Sequence, residues 1–458
     1  MFPARTYTER RERLKSSFTA GLLLFLGNEE SPMNYLDNVH PFRQDSSFLY
    51  YFGIDQPGYS AVIDLDQGRT VVFGNDLTLE DIVWTGVLPT VAELALLGGV
   101  TATAPASALG AYLQKAKGRE LHFLPPYRPE HRLKLFRFLG LHPDEQDGKA
   151  SLELARAVIN MRVFKSAEEL QEIERAVDVT VDMHLAAMGM AKPGAKEADI
   201  AAKITEIALA SGGNLGYAVI ATVHGETLHN HGHGNTLQSG QMLLVDAGAE
   251  TSLHYTADLT STCPVDKAFT PRQRDIYQVV LKAHLTAIEH LTPGVPFRQI
   301  HLLACRTMAE DLKSLGLMKG DLDAAVEQGA HALFFQCGLG HMMGLDVHDL
   351  ENLGEVWVGY DGQSKSTLFG IKSLRLARPL QPGFVLTVEP GIYFIPQLID
   401  RWKAEGKFAD FINYDKLEAY RDFGGIRIEE NLLITENGHR ILGKKRPRTL
   451  EEVEAVRA

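Results

Sequence analysis

The sequence predicts an α+β protein of two domains, a smaller α/β domain over 1–155 and a larger one over 156–458. Three observations predict it. Two β-rich early runs, 61–65 and 69–73, are separated by Asp66-Gln67-Gly68 in the manner of a hairpin. A polar stretch, 144–150, then interrupts the pattern. Beyond it, long helical periodicities alternate with runs that read as antiparallel strands.

In the first domain, the aromatic-rich segment 42–53 feeds the hairpin. The junction falls between about 145 and 165, where one helix begins near Ser151 and another at Ser166. Ser166 and Glu169 carry a capping-box signature. Leu170, Ile173, Val177, Val181 and His184 follow at near-helical spacing. A helix over 272–291 has Thr270 as its N-cap and Pro271 in its first turn, and 299–312 reads as another. The runs that end in acidic residues lie between and after these helices. Segments 355–378 and 396–423 read as insertions, and the second, with a charged helical piece over 398–406, is expected to lie over the site.

The composition is that of a soluble globular protein, 45% hydrophobic and 23% charged. A net charge of −12 argues against a nucleic-acid partner, because phosphate binding is driven by clustered Lys and Arg. The short basic run Lys444-Lys445-Arg446 reads as solvated surface. No early apolar stretch approaches the ~18 residues of a membrane span. Arg5, Glu9, Arg10 and Glu12 interrupt any signal-peptide pattern. Cys263, Cys305 and Cys337 are odd in number and widely spaced, which fits a reducing cytoplasm better than a disulfide framework.

Four carboxylates and one histidine in the second half stand where packing would place aliphatic residues. Asp246 closes the apolar run 242–245, Asp258 opens 258–262, and His341 follows Cys337-Gly338-Leu339-Gly340. Glu389 closes 385–388, and Glu429 lies in 425–430. Each has an ordinary reading alone: a turn-capping Asp, a core histidine, or an ion pair of Glu429 with Arg427 on the same strand face. Together they need a compensating charge, since burying an unpaired carboxylate costs roughly several kcal/mol. Two divalent cations supply it. An oxygen-rich set with one imidazole suits Mn2+, Fe2+, Co2+ or Zn2+ better than copper, which prefers sulfur or several nitrogens. Such a pair would provide a bridging hydroxide near neutral pH and polarise a carbonyl, the chemistry of amide or ester hydrolysis.

The motifs Asp246-Ala247-Gly248, Ala257-Asp258-Leu259-Thr260, Gly338 to His341, Gly344 to Asp349, Val388 to Tyr393 and Gly425 to Glu429 resemble those of the pita-bread metallopeptidases. The branch they resemble is that of aminopeptidase P and prolidase, and 42–53 is similar to that branch's N-terminal domain. The resemblance implies a pita-bread catalytic domain that cleaves the Xaa-Pro bond of short peptides with proline at the second position. Aminopeptidase activity is the first expectation and Xaa-Pro dipeptidase the alternative. Methionine aminopeptidase shares the metal core but not the large N-terminal domain. A creatinase-type protein or an inactive binding module would have lost ligands that are all present here.

Carried over by position, Asp246 would chelate one ion, Asp258 and Glu429 would hold both, and His341 with Glu389 would complete the second. Glu389 would also carry the proton from water to the leaving imino nitrogen. His229 would face the substrate, His348 the scissile carbonyl, and Arg427 would orient a ligating carboxylate. His231 and His233 read as solvated loop residues. Two departures stand out: Cys337 and Gln336 occupy positions usually held by histidine and proline, and the Asp246–Asp258 spacing is one residue longer. The resemblance also implies a homodimer or higher oligomer, with Trp84 either reaching a neighbouring subunit or buried locally. Arg401, Lys403, Lys407 and Lys416 are candidates to meet a dipeptide carboxylate, with exposed surface charge the plainer reading.

Overall fold

The computed structural model describes residues 1–457, which form two units. The first comprises Met1–Arg162 with Asn352–Gly354. Its five-stranded sheet runs in the order Ala102–Pro105, Arg69–Gly74, Ser60–Asp64, Leu22–Leu26, Leu121–Phe123. The three middle strands are antiparallel and the two edge strands parallel to their neighbours. The hairpin lies where the sequence places it, with Asp64 paired to Arg69. Leu22, Leu24, Val62, Val71 and Phe73 face a core closed by Leu109, Leu113 and Leu135 from the helices.

This unit runs past the expected boundary of 155 to Arg162, because the helix Leu152–Arg162 belongs with it. That helix buries Leu154, Val158 and Ile159, receives the Tyr51 hydroxyl on Met161 Sδ at 3.4 Å, and returns a hydrogen bond from Arg162 to Ser47. Apolar spacing marks such a helix in the sequence, but not the unit on which its face is buried.

The second unit comprises Val163–Glu351 and the chain from Glu355 onward. The helix Ala167–Met190 opens on the expected capping box between Ser166 and Glu169. The helix Pro271–Glu289 opens on another, between Thr270 and Gln273, with Pro271 in the first turn. With Glu197–Ala210 and Phe297–Ser314, these helices bury apolar stripes against short antiparallel sheets. One sheet orders Leu259–Pro264, Met242–Ala247, Ile220–Thr222; a second orders Val385–Val388, Glu430–Thr435, Gly438–Ile441; a third pairs Gly391–Tyr393 with Gly425–Arg427. Met183, Ala187, Leu243, Val245, Ile276, Val280 and Ile426 share one core. The mixture of helices and antiparallel sheet is the expected α+β class.

Segment 396–423 is no cover over the site. Its helix Pro396–Ala404 buries Ile399 and Trp402, and Ile412, Leu417 and Phe423 follow them into the core. Docking of an amphipathic insertion is set by distant partners, which local sequence does not encode.

Candidate active site

Strand pairing assembles the site. Asp246 lies near the end of Met242–Ala247, opposite Thr260, and Ala247 pairs with Leu259, so Asp258 arrives beside Asp246 on the returning strand. The excursion between them turns through His254, at φ 66°. Gly248 allows the return: a Cβ there would lie 1.8 Å from the Ala257 carbonyl oxygen. Val388 pairs with Glu430 and Gly391 with Arg427, which sets Glu389 and Glu429 on facing strands. Thr260 ties the two halves together, its hydroxyl donating to Glu429 Oε2 at 2.7 Å while its carbonyl accepts from the Glu429 amide at 3.1 Å.

His341 is fixed from two sides. Its backbone N–H donates to the Thr387 hydroxyl at 3.1 Å, and Nδ1 lies 3.0 Å from the Met342 carbonyl. Nε2 is thereby turned toward Asp258 Oδ2 at 3.3 Å and Glu389 Oε1 at 3.6 Å. The donor atoms of Asp246, Asp258 and Glu429 all lie within 4.8 Å of one another, and so do those of His341, Glu389 and Glu429. Glu429 belongs to both groups.

The cluster holds more carboxylates than His341 and Arg427 offset. Burial and the neighbouring Asp258, Glu389 and Asp246 push the Glu429 carboxyl well above the usual range. Burial raises Asp246 against the pull of Arg427, and burial, opposed by His341 but helped by Asp258, raises Glu389 to about 7. Burial would also raise Asp258, but contacts from His341 and Tyr217 bring it below its ordinary value. His341 goes the other way: burial depresses it, yet Asp258 and Glu389 outweigh that and hold it at about 9. Among the described residues Glu429 Oε1 is buried without a hydrogen-bond partner. The Tyr217 hydroxyl, with one proton, sits 2.6 Å from Asp246 Oδ1 and 2.5 Å from Asp258 Oδ1. An oxygen-rich set with one imidazole, an orphaned carboxylate oxygen and protons forced onto acids is what two divalent cations would resolve; the residues fit them.

Arg427 is paired with Asp246 (Nη2 to Oδ2, 2.5 Å), and also donates to Thr260 Oγ1 and Tyr393 Oη; the ion pair with Glu429 open to sequence reading is not formed. The adjoining cavity, about 460 Å³, is lined by His229, His231, Cys337, His348, Ser373 and Arg375 among others. His229 and His348 are held below the ordinary histidine value, chiefly by burial, then by Arg427 and His341 respectively. His348 stacks on His341 at 3.9 Å between centroids, with Nδ1 3.1 Å from Glu351 Oε1. Cys337 Sγ lies 3.9 Å from Tyr393 Oη, and burial, then Glu389, pushes its thiol up to about 12. His231 borders the cavity from an exposed loop position, in keeping with its reading as a solvated loop residue, whereas His233 is half-buried, with Nε2 3.1 Å from the Val219 carbonyl.

Three contributors escaped sequence reading. Tyr217 has no motif around it; Ser373 and Arg375 come from 355–378, with no local pattern to mark them. Arg375 Nη1 contacts Glu351 Oε2 at 2.5 Å, so Glu351 joins Arg375 to His348. No residue of 396–423 lines the cavity. Arg401 pairs with Glu405, Lys403 with Glu418, and Lys407 lies over the Trp402 ring.

A family model described as metallopeptidase family M24 matches residues 171–436, and one for the aminopeptidase P N-terminal domain matches 7–123. The human Xaa-Pro dipeptidase is 32% identical across 98% of this chain and 91% of its own length. A probable Xaa-Pro aminopeptidase of Sordaria macrospora is 30% identical across 99% and 96%. The structure of a glutamate-to-alanine variant of Escherichia coli aminopeptidase P in complex with substrate superposes with a TM-score of 0.83 at 28% identity, covering 100% of this chain and 98% of that one. With these matches spanning both units, the chain belongs to metallopeptidase family M24 and carries the N-terminal domain of aminopeptidase P.

Proposed function

We propose that this protein hydrolyses the Xaa-Pro bond of short peptides, with two divalent cations, Mn2+ first among them, held by Asp246, Asp258, His341, Glu389 and Glu429. The observation that carries the proposal is the convergence of five donors into two groups that share Glu429. When bound, the cations make a hydroxide nucleophile available near neutral pH and polarise the scissile carbonyl. Glu389, partly open to the cavity, takes a proton from the attacking water and hands it to the proline nitrogen, which must be protonated to leave. His229 and His348 flank the peptide group, and Glu351 orients the His348 ring. Arg427 holds Asp246 in place and neutralises part of the cluster.

Aminopeptidase and dipeptidase readings share this chemistry and differ in what lies beyond proline. A specific observation favours the dipeptidase: Arg375 places a cation in the cavity wall, where a free proline carboxylate would form a charge-assisted pair. The relatives do not separate the two, since Xaa-Pro dipeptidases and probable Xaa-Pro aminopeptidases both match along the chain. Hydrolysis of Gly-Pro, Gly-Pro-Gly and Met-Ala-Gly by the Mn2+-loaded protein tests both levels. Cleavage of Gly-Pro in preference to Gly-Pro-Gly is expected; cleavage of Met-Ala-Gly in preference to both would overturn the proline specificity.

Two further assignments belong to the same proposal. Three cysteines, all free, fit the reducing cytoplasm. Trp84, 83% exposed beside exposed Leu79, Val83 and Val87, is not part of a local core, and supports a homodimer or higher oligomer. Light scattering at micromolar concentration checks it, with a monomer as the contrary result. No helix among the described residues is long and apolar enough to cross a membrane.

A further inference from the structure

Away from the carboxylate site, the second unit buries a different set of donors. The helix Phe297–Ser314 carries His301 and Cys305, four residues apart and so on one face. His331 meets them from the 3-10 turn Ala330–Leu333. One donor atom from each lies within 4.8 Å of the other two, and Cys305 Sγ is 3.5 Å from His301 Nε2. His301 and Cys305 are fully buried and His331 nearly so.

The hydrogen bonding of this cluster is incomplete. Among the described residues His301 Nδ1 and both ring nitrogens of His331 are buried without a partner of ordinary hydrogen-bond geometry; the Val326 backbone gives His331 only a weak contact. Buried imidazole nitrogens left this way cost free energy and are uncommon in folded proteins. Burial keeps both rings neutral, at about 3 for His301 and about 4 for His331, so lone pairs are available.

We propose that His301, Cys305 and His331 form a binding site for a soft monovalent cation, Cu+, distinct from the oxygen-rich cluster. Two imidazoles and a thiolate without carboxylate are a soft set. Donors bonded at roughly 2.0–2.3 Å to one ion lie about 3.5 Å apart, so the observed spacing closes by side-chain movements of about an ångström. On binding, the Cys305 S–H bond breaks, the S–Cu bond forms and the proton leaves to solvent; copper stays in the +1 state. The filled site is then neutral. Zn2+ would leave a buried positive charge in a place where Arg298 is the charged side chain acting on His301 and no carboxylate perturbs any of the three ligands. The ion would clamp the long helix to the turn just before the loop that carries Cys337 and His341.

The test uses Mn2+-loaded full-length protein under a reductant, with Cu+ delivered as its coloured bicinchoninate complex. One equivalent per chain is expected to leave the dye. Cys305→Ser and His331→Leu are expected to weaken uptake at least 100-fold, and Cys337→Ser to retain it. X-ray absorption of the loaded wild type, which needs no variant to fold, is expected to show one sulfur and two imidazole nitrogens. No transfer from the dye, a shell without sulfur, or undiminished uptake by folded Cys305→Ser would each overturn the proposal. Peptidase assays are separate from all three readouts, so this site can fail without the carboxylate site failing.

Discussion

Replacing Arg375 by glutamine keeps a polar side chain in the cavity wall and removes its charge. If Arg375 receives the carboxylate of a dipeptide, the variant loses one charge-assisted interaction, worth about 1.5–3 kcal/mol when shielded from water. The side chain is 38% exposed and already engaged by Glu351, so solvent screening places the effect at the lower end. About 1.5–2 kcal/mol corresponds to roughly a 10–30-fold loss in kcat/KM for Gly-Pro. Gly-Pro amide, which has no carboxylate, is the internal control and should be cleaved by variant and wild type alike. Steady-state kinetics on the two substrates measure the difference. An equal loss on both would mean that Arg375 acts only through Glu351 and His348, and the dipeptidase reading would fall; no loss on either would refute it equally.

Lys165 and Asp349 form an ion pair at 2.8 Å with both side chains about 1% exposed, just beyond His348 in the chain. Lys165→Met should destabilise the protein by about 3–5 kcal/mol in urea unfolding, because it leaves Asp349 buried against an apolar neighbour. Asp64, buried in the first unit, is held below the usual carboxylate range because hydrogen bonds from Arg119, the Gln67 backbone and Tyr112 outweigh its burial. Its stabilisation is therefore present above the unfolded value near ~4 and lost as pH falls through the lower folded value. Asp64→Asn should cost about 1–3 kcal/mol at pH 7, with the gap to wild type closing in acid denaturation. A Cβ at Gly340 would lie 2.0 Å from the Thr387 carbonyl oxygen, so Gly340→Ala should displace His341 and cut kcat/KM at least tenfold on about any Xaa-Pro peptide.

Local signals carried well from sequence to structure. The Ser166 capping box and the Thr270 N-cap followed by Pro271 depend on residues close in the chain, and both helices start where those residues stand. Asp246, Asp258, His341, Glu389 and Glu429 were legible because each interrupts an apolar or glycine-rich context; antiparallel pairing brings the carboxylates together, and hydrogen bonds to Thr387 bring His341 to them. Tyr217 and Arg375 were not legible, since a lone tyrosine or arginine between turns looks the same whether it meets solvent or a cavity. The insertion 396–423 was misplaced for a related reason: its charged face is visible in the sequence, but the partners of Ile399 and Trp402 lie far away in the chain.

The central claim is that the carboxylates around Glu429 exist to hold two cations. Chelator-stripped protein titrated with Mn2+, with bound metal counted and Gly-Pro hydrolysis followed in parallel, tests it directly. Two ions per chain are expected at saturation, with activity rising as they bind and both lost in Glu429→Gln. Full activity in the stripped protein, or saturation without any bound metal, would contradict it.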